Sequence, residues 1–404
     1  MSNHDETRED QVFTQRRLWL FGRLIPSLYL FMAIKFLLRG DWLIAPDGSR
    51  LWTDFLSIWS AGFQARHTGA ASVYGISALD AVQKTVVGNL AELHLPFAFP
   101  PPFLLIAVPL STLPYVVAFL LWQAMTIALY AAAIYLIIPR REAVVLALAF
   151  PVVFANAFAG QEGLLAAALL AGSLALLDRR PVVAGVILGL LTFRPQLGMV
   201  FPIILLLTGR WRTIMSAATT TLCLAGASLW CFGAEAWGSF LVHAPEHAAA
   251  TLLEGQAVGS WAVLQSVFAL IRSVGGTVSL AWISQIVVAA LTVLILAWLW
   301  RLPVRPDLKA AALALGAAMV TPYLYYYDLC ILAVPVAFLI ADGLKHGFAR
   351  FERFAILAGA VSTVPFVVGI FAPIGPFIMA VIVAVIVVRL RSTAILPVII
   401  RSEP

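Results

Sequence analysis

Long apolar runs separated by short polar joints set the pattern of this chain. The run 18–38 is long enough to cross a bilayer, which takes about 20 residues of helix. Arg16 and Arg17 precede it and put the N-terminus on the cytoplasmic side. Residues 39–96 are the longest polar stretch and form a first external loop. Within it, residues 51–63 read LWTDFLSIWSAGF. Phe55, Trp59 and Phe63 recur every four residues and share one side of a helix. That predicts an interfacial helix with its aromatic face towards lipid or protein. Segment 103–138 is too long for one straight helix and is broken at Pro109 and Pro114, so a short piece precedes a full span ending at Arg140 and Arg141. Three out-and-back pairs follow the same logic: 143–157 with 162–177, 181–192 with 196–208, and 309–320 with 329–341. Their turns, 156–163, 192–196 and 321–328, fall on the external side. Residues 213–232 cross outward to a second external loop, 233–259, then 260–274 is amphipathic or re-entrant and 278–300 returns. Spans 354–371 and 374–388 complete the chain before Arg389 and Arg391.

These segments predict an all-α polytopic membrane protein of about 12 transmembrane helices, within a range of 10–13. The layout is a cytoplasmic tail at 1–17, one integral membrane domain at 18–391 and a C-terminal tail at 392–404. Composition agrees: 62% of residues are hydrophobic and 11% charged, against about 25% charged in soluble domains. The net charge of +6 is no sign of nucleic acid, because most Lys and Arg sit at segment ends. Cys223, Cys231 and Cys330 form no CxxC and lie in or beside apolar segments, so buried free thiols are expected. The tail 1–17 is polar and mixed in charge, and the following run is an anchor rather than a cleaved leader.

The topology gathers Asp54, Gln161, Glu162, Arg194, His243, His247 and Asp328 on one side, while the cationic clusters fall on the other. Thr53 and Asp54 stand where a helix N-cap belongs, so Asp54 reads either as a cap or as a general base. The two arms around Arg194 are about a dozen residues each, too short to span about 30 Å. Arg194 therefore sits inside the membrane in a protein-lined cavity. Two readings stand for it: a salt bridge to Glu162 or Asp328, or a grip on the phosphate of a lipid-linked donor. Glu162 in the first turn of a helix also satisfies the helix dipole. Tyr325, Tyr326 and Tyr327 read as an interfacial belt or as a platform for a sugar ring. His243 and His247 flank Glu246 at i, i+4, but Pro245 interrupts the helix this spacing needs and no third ligand is evident, so no metal is expected. No P-loop, GxGxxG or HExxH occurs, and no soluble nucleotide-binding domain is present, which favours a lipid-borne donor.

An ordered set of motifs carries a resemblance. It comprises TDF and its aromatic helix, VYG at 73–75, FPPPFLLIAVPLSTLPYVVAFLLW at 99–122, FAGQEGLLAAALL at 158–170, DRRPVVAGVILGLLTFRPQLG at 178–198 and VTPYLYYYDL at 320–329. Over most of residues 50–340 the chain resembles the polyprenyl-phosphate-mannose-type membrane glycosyltransferases of family 87, which adopt the GT-C fold. The resemblance implies transfer of a hexose, with mannose expected, from a polyprenyl-phosphate sugar to a lipid or glycan acceptor. It implies a bacterial inner membrane location with both termini cytoplasmic, a periplasmic active site and no cofactor. Asp54 matches the family's base on the first external loop. Gly160-Gln161 and Arg194-Pro195 match its GQ and basic-Pro turns, which assigns Gln161 and Arg194 to the donor phosphate. Glu162, Tyr326, Tyr327 and Asp328 are the further substrate-binding candidates. Some members carry a histidine pair in the last turn, where this chain has Tyr326-Tyr327-Asp328. The reading from another class is a transporter or flippase of a lipid-linked sugar. The lack of internally repeated halves counts against it.

Overall fold

A computed structural model describes residues 14–44, 53–87, 95–253, 261–367 and 369–399. All regular structure among them is helical, apart from isolated bridges between Trp42 and Ile44 and between Leu264 and Tyr325. The first helix, α1 (Gln15–Arg39), starts at Thr14, whose hydroxyl accepts from the Arg17 N–H. It ends at Gly40, which takes the left-handed conformation (φ 74°) that a side chain would resist. Leu20, Leu24, Leu28 and Phe31 stay exposed along it, as a lipid-facing helix requires.

The expected first external loop is a folded unit. It holds α2 (Phe55–His67), a tight turn at Ala70–Tyr74 and α3 (Ile76–Val87). Leu51, Trp52, Glu92 and His94 lie outside the described residues. Helix α2 is not an interfacial helix facing lipid: Phe55 through Gly62 are all buried in protein. It packs on α4 (Leu104–Leu110), and at Gly62 a Cβ would strike the Ala107 carbonyl. Helix α5 (Tyr115–Ile137) is the full span expected after the short piece, and it stops at Ile138 because Pro139 forces the preceding residue out of the helical region.

The expected span 143–157 is broken. Helix α6 (Arg141–Leu148) and helix α7 (Pro151–Ala159) meet at 60°, since Phe150 precedes a proline and is extended. Helix α8 (Gly163–Leu176) returns. Next come α9 (Pro181–Leu190), a turn at Leu191–Phe193, α10 (Pro195–Gly198) and α11 (Val200–Leu207), the short pair the sequence predicts. Helix α12 (Trp211–Leu252) corrects two expectations. The chain turns at Gly233 (φ 76°) and is helical again through 252, so most of the predicted loop 233–259 is helix. Pro245 does not interrupt that helix; it removes one donor, and the Ala-rich flanks carry the helix past it. Glycines at 185 and 189 let α9 lie against α12, since a Cβ at Gly189 would come 2.7 Å from the Ala217 carbonyl.

The remaining helices are α13 (Val267–Ser273), α14 (Val278–Arg301), α15 (Pro306–Val320), a tight turn at Tyr326–Leu332 running into α16 (Ala333–His346), α17 (Glu352–Val361), α18 (Val364–Val367) and α19 (Gly375–Ile399). The expected span 354–371 is therefore two pieces, and the last helix continues past Arg391 to 399. Among the described residues, five helices are long and apolar enough to cross a membrane, or six if the bent pair counts as one, against the expected count of about 12. Cys330 is a buried thiol as expected, whereas Cys223 and Cys231 are exposed on α12.

Two buried charge clusters lie at opposite ends of the stretch Tyr326–His346, about 20 Å apart at helical rise. One surrounds Arg194. The other joins α16, α17 and α19: Arg389 donates to Glu352 from Nε (2.5 Å) and Nη2 (2.8 Å) and to Asp342 from Nη1 (2.5 Å). Arg305 pairs with Asp342 at 3.2 Å. Gly343 leaves the room that Arg389 occupies.

Candidate active site

Asp54 occupies the N-cap position of α2, yet its side chain makes no bond to the free N–H groups of that helix. Asp54 Oδ2 instead accepts from Gln161 Nε2 at 3.0 Å. The cap reading thus fails by geometry. Burial raises the Asp54 pKa above the ordinary carboxylate range, and the Gln161 bond pulls part of the way back. Asp54 remains half-buried, so it is accessible while Thr53 and Phe55 on either side are buried.

The scaffold behind it is rigid. The Thr53 hydroxyl and the Tyr115 hydroxyl lie 3.0 Å apart in a hydrogen bond. Phe55 packs among Tyr115, Phe119 and Trp122. Gly160 ends α7 with φ 78°, and a Cβ there would lie 2.7 Å from the Phe55 Cβ. Only glycine suits that backbone and that approach. Trp122 Nε1 donates to the Gly160 carbonyl at 3.2 Å. The buried Asn156 amide, oriented so that both ends are satisfied, donates to the Gln161 carbonyl (3.0 Å) and accepts from the Gly163 N–H (3.1 Å). The turn 160–162 is therefore pinned from three sides.

Glu162 stands at the N-cap of α8 but, like Asp54, makes no side-chain cap. Its carboxylate pairs with Arg194 Nη2. Arg194 Nη1 donates to Asp328 Oδ2 at 3.0 Å, and the same oxygen accepts from the Tyr325 N–H at 3.0 Å. All three charged side chains are buried. The salt-bridge reading of Arg194 is met with both named partners at once, while Glu162 keeps its place at the start of α8. Among the described residues, Arg194 Nε, Glu162 Oε2 and Asp328 Oδ1 have no hydrogen-bond partner. One cation faces two carboxylates in the cluster.

Tyr325 and Tyr327 stack at 5.2 Å, and Tyr326 packs on Tyr327 and on Phe371 at 4.6 Å. Tyr325 and Tyr326 are half-buried and Tyr327 is buried. The turn that carries these rings lies within electrostatic range of Asp54. His243 contacts the Ser239 carbonyl of its own helix. Among the described residues no group of three or more His, Cys, Asp and Glu side chains is arranged to hold a metal ion.

The structure thus joins Asp54 to Gln161, and Glu162 to Arg194 and Asp328, from four segments of the chain. Sequence reasoning passed over Asn156 and Trp122. The signal for Asn156 was its place four residues before Gly160, one helical turn back from the turn it pins.

A family model for glycosyltransferase family 87 matches residues 97–324, more than half of the chain. No curated protein and no solved structure matches the chain. The matched region contains Gln161, Glu162 and Arg194 and begins after Asp54, which is tied to it through the Gln161 bond. With its membrane-capable helices and this match, the chain belongs to glycosyltransferase family 87.

Proposed function

We propose that the chain transfers a hexose, with mannose the first to test, from a polyprenyl-phosphate sugar to a hydroxyl of a lipid or glycan on the periplasmic face. Asp54 is the general base. The acceptor oxygen gives its proton to the Asp54 carboxylate as it bonds to the anomeric carbon. The bond from that carbon to the phosphate oxygen breaks, and its electron pair leaves with the polyprenyl phosphate. One displacement of this kind inverts the anomeric centre. Tyr326, half-buried, offers an aromatic face for the sugar ring.

The observation that carries this reading is Asp54 itself. It is an accessible carboxylate at a helix start that declines to cap its helix and is held by a residue inside the family-matched region. Its raised proton affinity suits a group that must remove a proton.

The test is a transfer assay with purified protein in nanodiscs. Radiolabelled polyprenyl-phosphate mannose or glucose is the donor, and a membrane-lipid extract supplies the acceptor. Wild type labels a new product, and Asp54→Asn loses about 10²- to 10⁴-fold in rate at an unchanged Tm. Full activity in folded Asp54→Asn removes Asp54 as base. Movement of labelled donor across the bilayer with no transfer to any acceptor favours the flippase reading.

A further inference from the structure

We infer that Arg194 is a positioning residue for the base and not the receptor of the donor phosphate; this rests on Asp54 being the base. A phosphate entering the cluster would meet one guanidinium already held by Glu162 and Asp328. The guanidinium already gives both outer nitrogens to carboxylates, so a phosphate oxygen would have to displace one of them. An entering anion competes with those carboxylates for the same donors.

The geometry gives Arg194 another task. Glu162 directly follows Gln161; Trp122 holds the Gly160 carbonyl before the pair, and Asn156 holds the Gln161 carbonyl and the Gly163 N–H. The Glu162 carboxylate on Arg194 ties the outer end of the turn as well. Arg194 is in turn held by Asp328, whose Oδ2 is fixed by the Tyr325 N–H. The result is a chain of contacts from the turn 325–328 through Arg194 and Glu162 to Gln161 and Asp54. Its output is the aim of one carboxylate oxygen. A displacement of about 1 Å at a reacting group is enough to lower a rate by about 100-fold.

A double-mutant cycle on the full-length protein in nanodiscs separates the two roles. The variants are Arg194→Lys, which keeps the charge but loses the two-pronged grip, Gln161→Leu, and both together. A positioning role predicts that Arg194→Lys lowers kcat about 10- to 100-fold with the donor KM unchanged. It moves the acid limb of the rate profile to higher pH, and it has less than about a twofold further effect once Gln161 is Leu, because both changes act through Asp54. A phosphate role predicts a raised donor KM, an unmoved acid limb and multiplicative effects in the double variant. Glu162→Gln gives an independent reading in a shape-conserving change. It frees positive charge on Arg194, so a phosphate site would bind donor more tightly, whereas positioning predicts a lower kcat at constant KM. Multiplicative effects together with an inactive Asp54→Asn overturn the positioning role alone. A fully active Asp54→Asn overturns the base and the positioning role together.

Discussion

The clusters around Arg194 and Arg389 are built from the same parts and arranged to different ends. Each buries an arginine between two carboxylates. Arg389 commits Nε, Nη1 and Nη2 to its partners, and Arg305 adds a second cation against Asp342. Asp342 also has His346 Nδ1 at 3.2 Å, and the cluster sews α16, α17 and α19 together. Arg194 faces two carboxylates alone, has an unpartnered Nε, and stands next to the bond that holds Asp54. The first cluster ties three helices together; the second, with its buried unpartnered Nε, lies one residue along the chain from the Gln161 bond to the proposed base.

The contrast can be broken at either end. The largest effect belongs to Asp54→Asn, a loss of about 10²- to 10⁴-fold in transfer with Tm held. Arg389→Gln should do the reverse. It leaves Glu352 and Asp342 buried without their shared cation and destabilises the fold by about 3–5 kcal/mol. Chemical denaturation measures that loss, while kcat per folded molecule stays at the wild-type value. Gly160→Ala sharpens the comparison from the active-site side. It forces a side chain into the left-handed conformation and against Phe55, costing about 1–3 kcal/mol. It also lowers kcat, because the turn that carries Gln161 must shift; parallel Tm and kinetic measurements should both move.

The smallest effect is a displacement of the pH profile. A base acts only when ionised, so the rate falls as pH drops through the Asp54 pKa. Burial raises that pKa, which puts the acid limb above the value of about 3.9 for a free aspartate. Gln161→Leu removes the bond that favours the carboxylate, and the limb moves further towards neutral pH. An unmoved limb in that variant would show that the proton acceptor is another group.

Much of this was legible in the sequence because apolar run length and proline position are local signals. Pro114 and Pro139 bound α5, and the short arms on each side of Arg194 predicted its burial before any contact was known. The convergence of turns 156–163, 192–196 and 321–328 followed from alternating direction alone. The side-chain choices were not legible. Asp54 sits at a cap position and ignores it, because a partner more than a hundred residues away competes for the carboxylate. The helix through Pro245 and the break at Phe150 went the other way from expectation, since a proline ends or spares a helix according to the packing around it.

The spacing of the Arg194 contacts also bears on how the protein is made. Glu162 and Arg194 are 32 residues apart, whereas Asp328 follows Arg194 by 134. Chains emerge from the ribosome N-terminus first. The acid and the base of the nearer pair can enter the bilayer as one hairpin, each lowering the other's insertion penalty. Asp328 arrives several helices later and closes the cluster. The buried arginine therefore meets Glu162 first, and its second partner reaches it only once the later helices are in place.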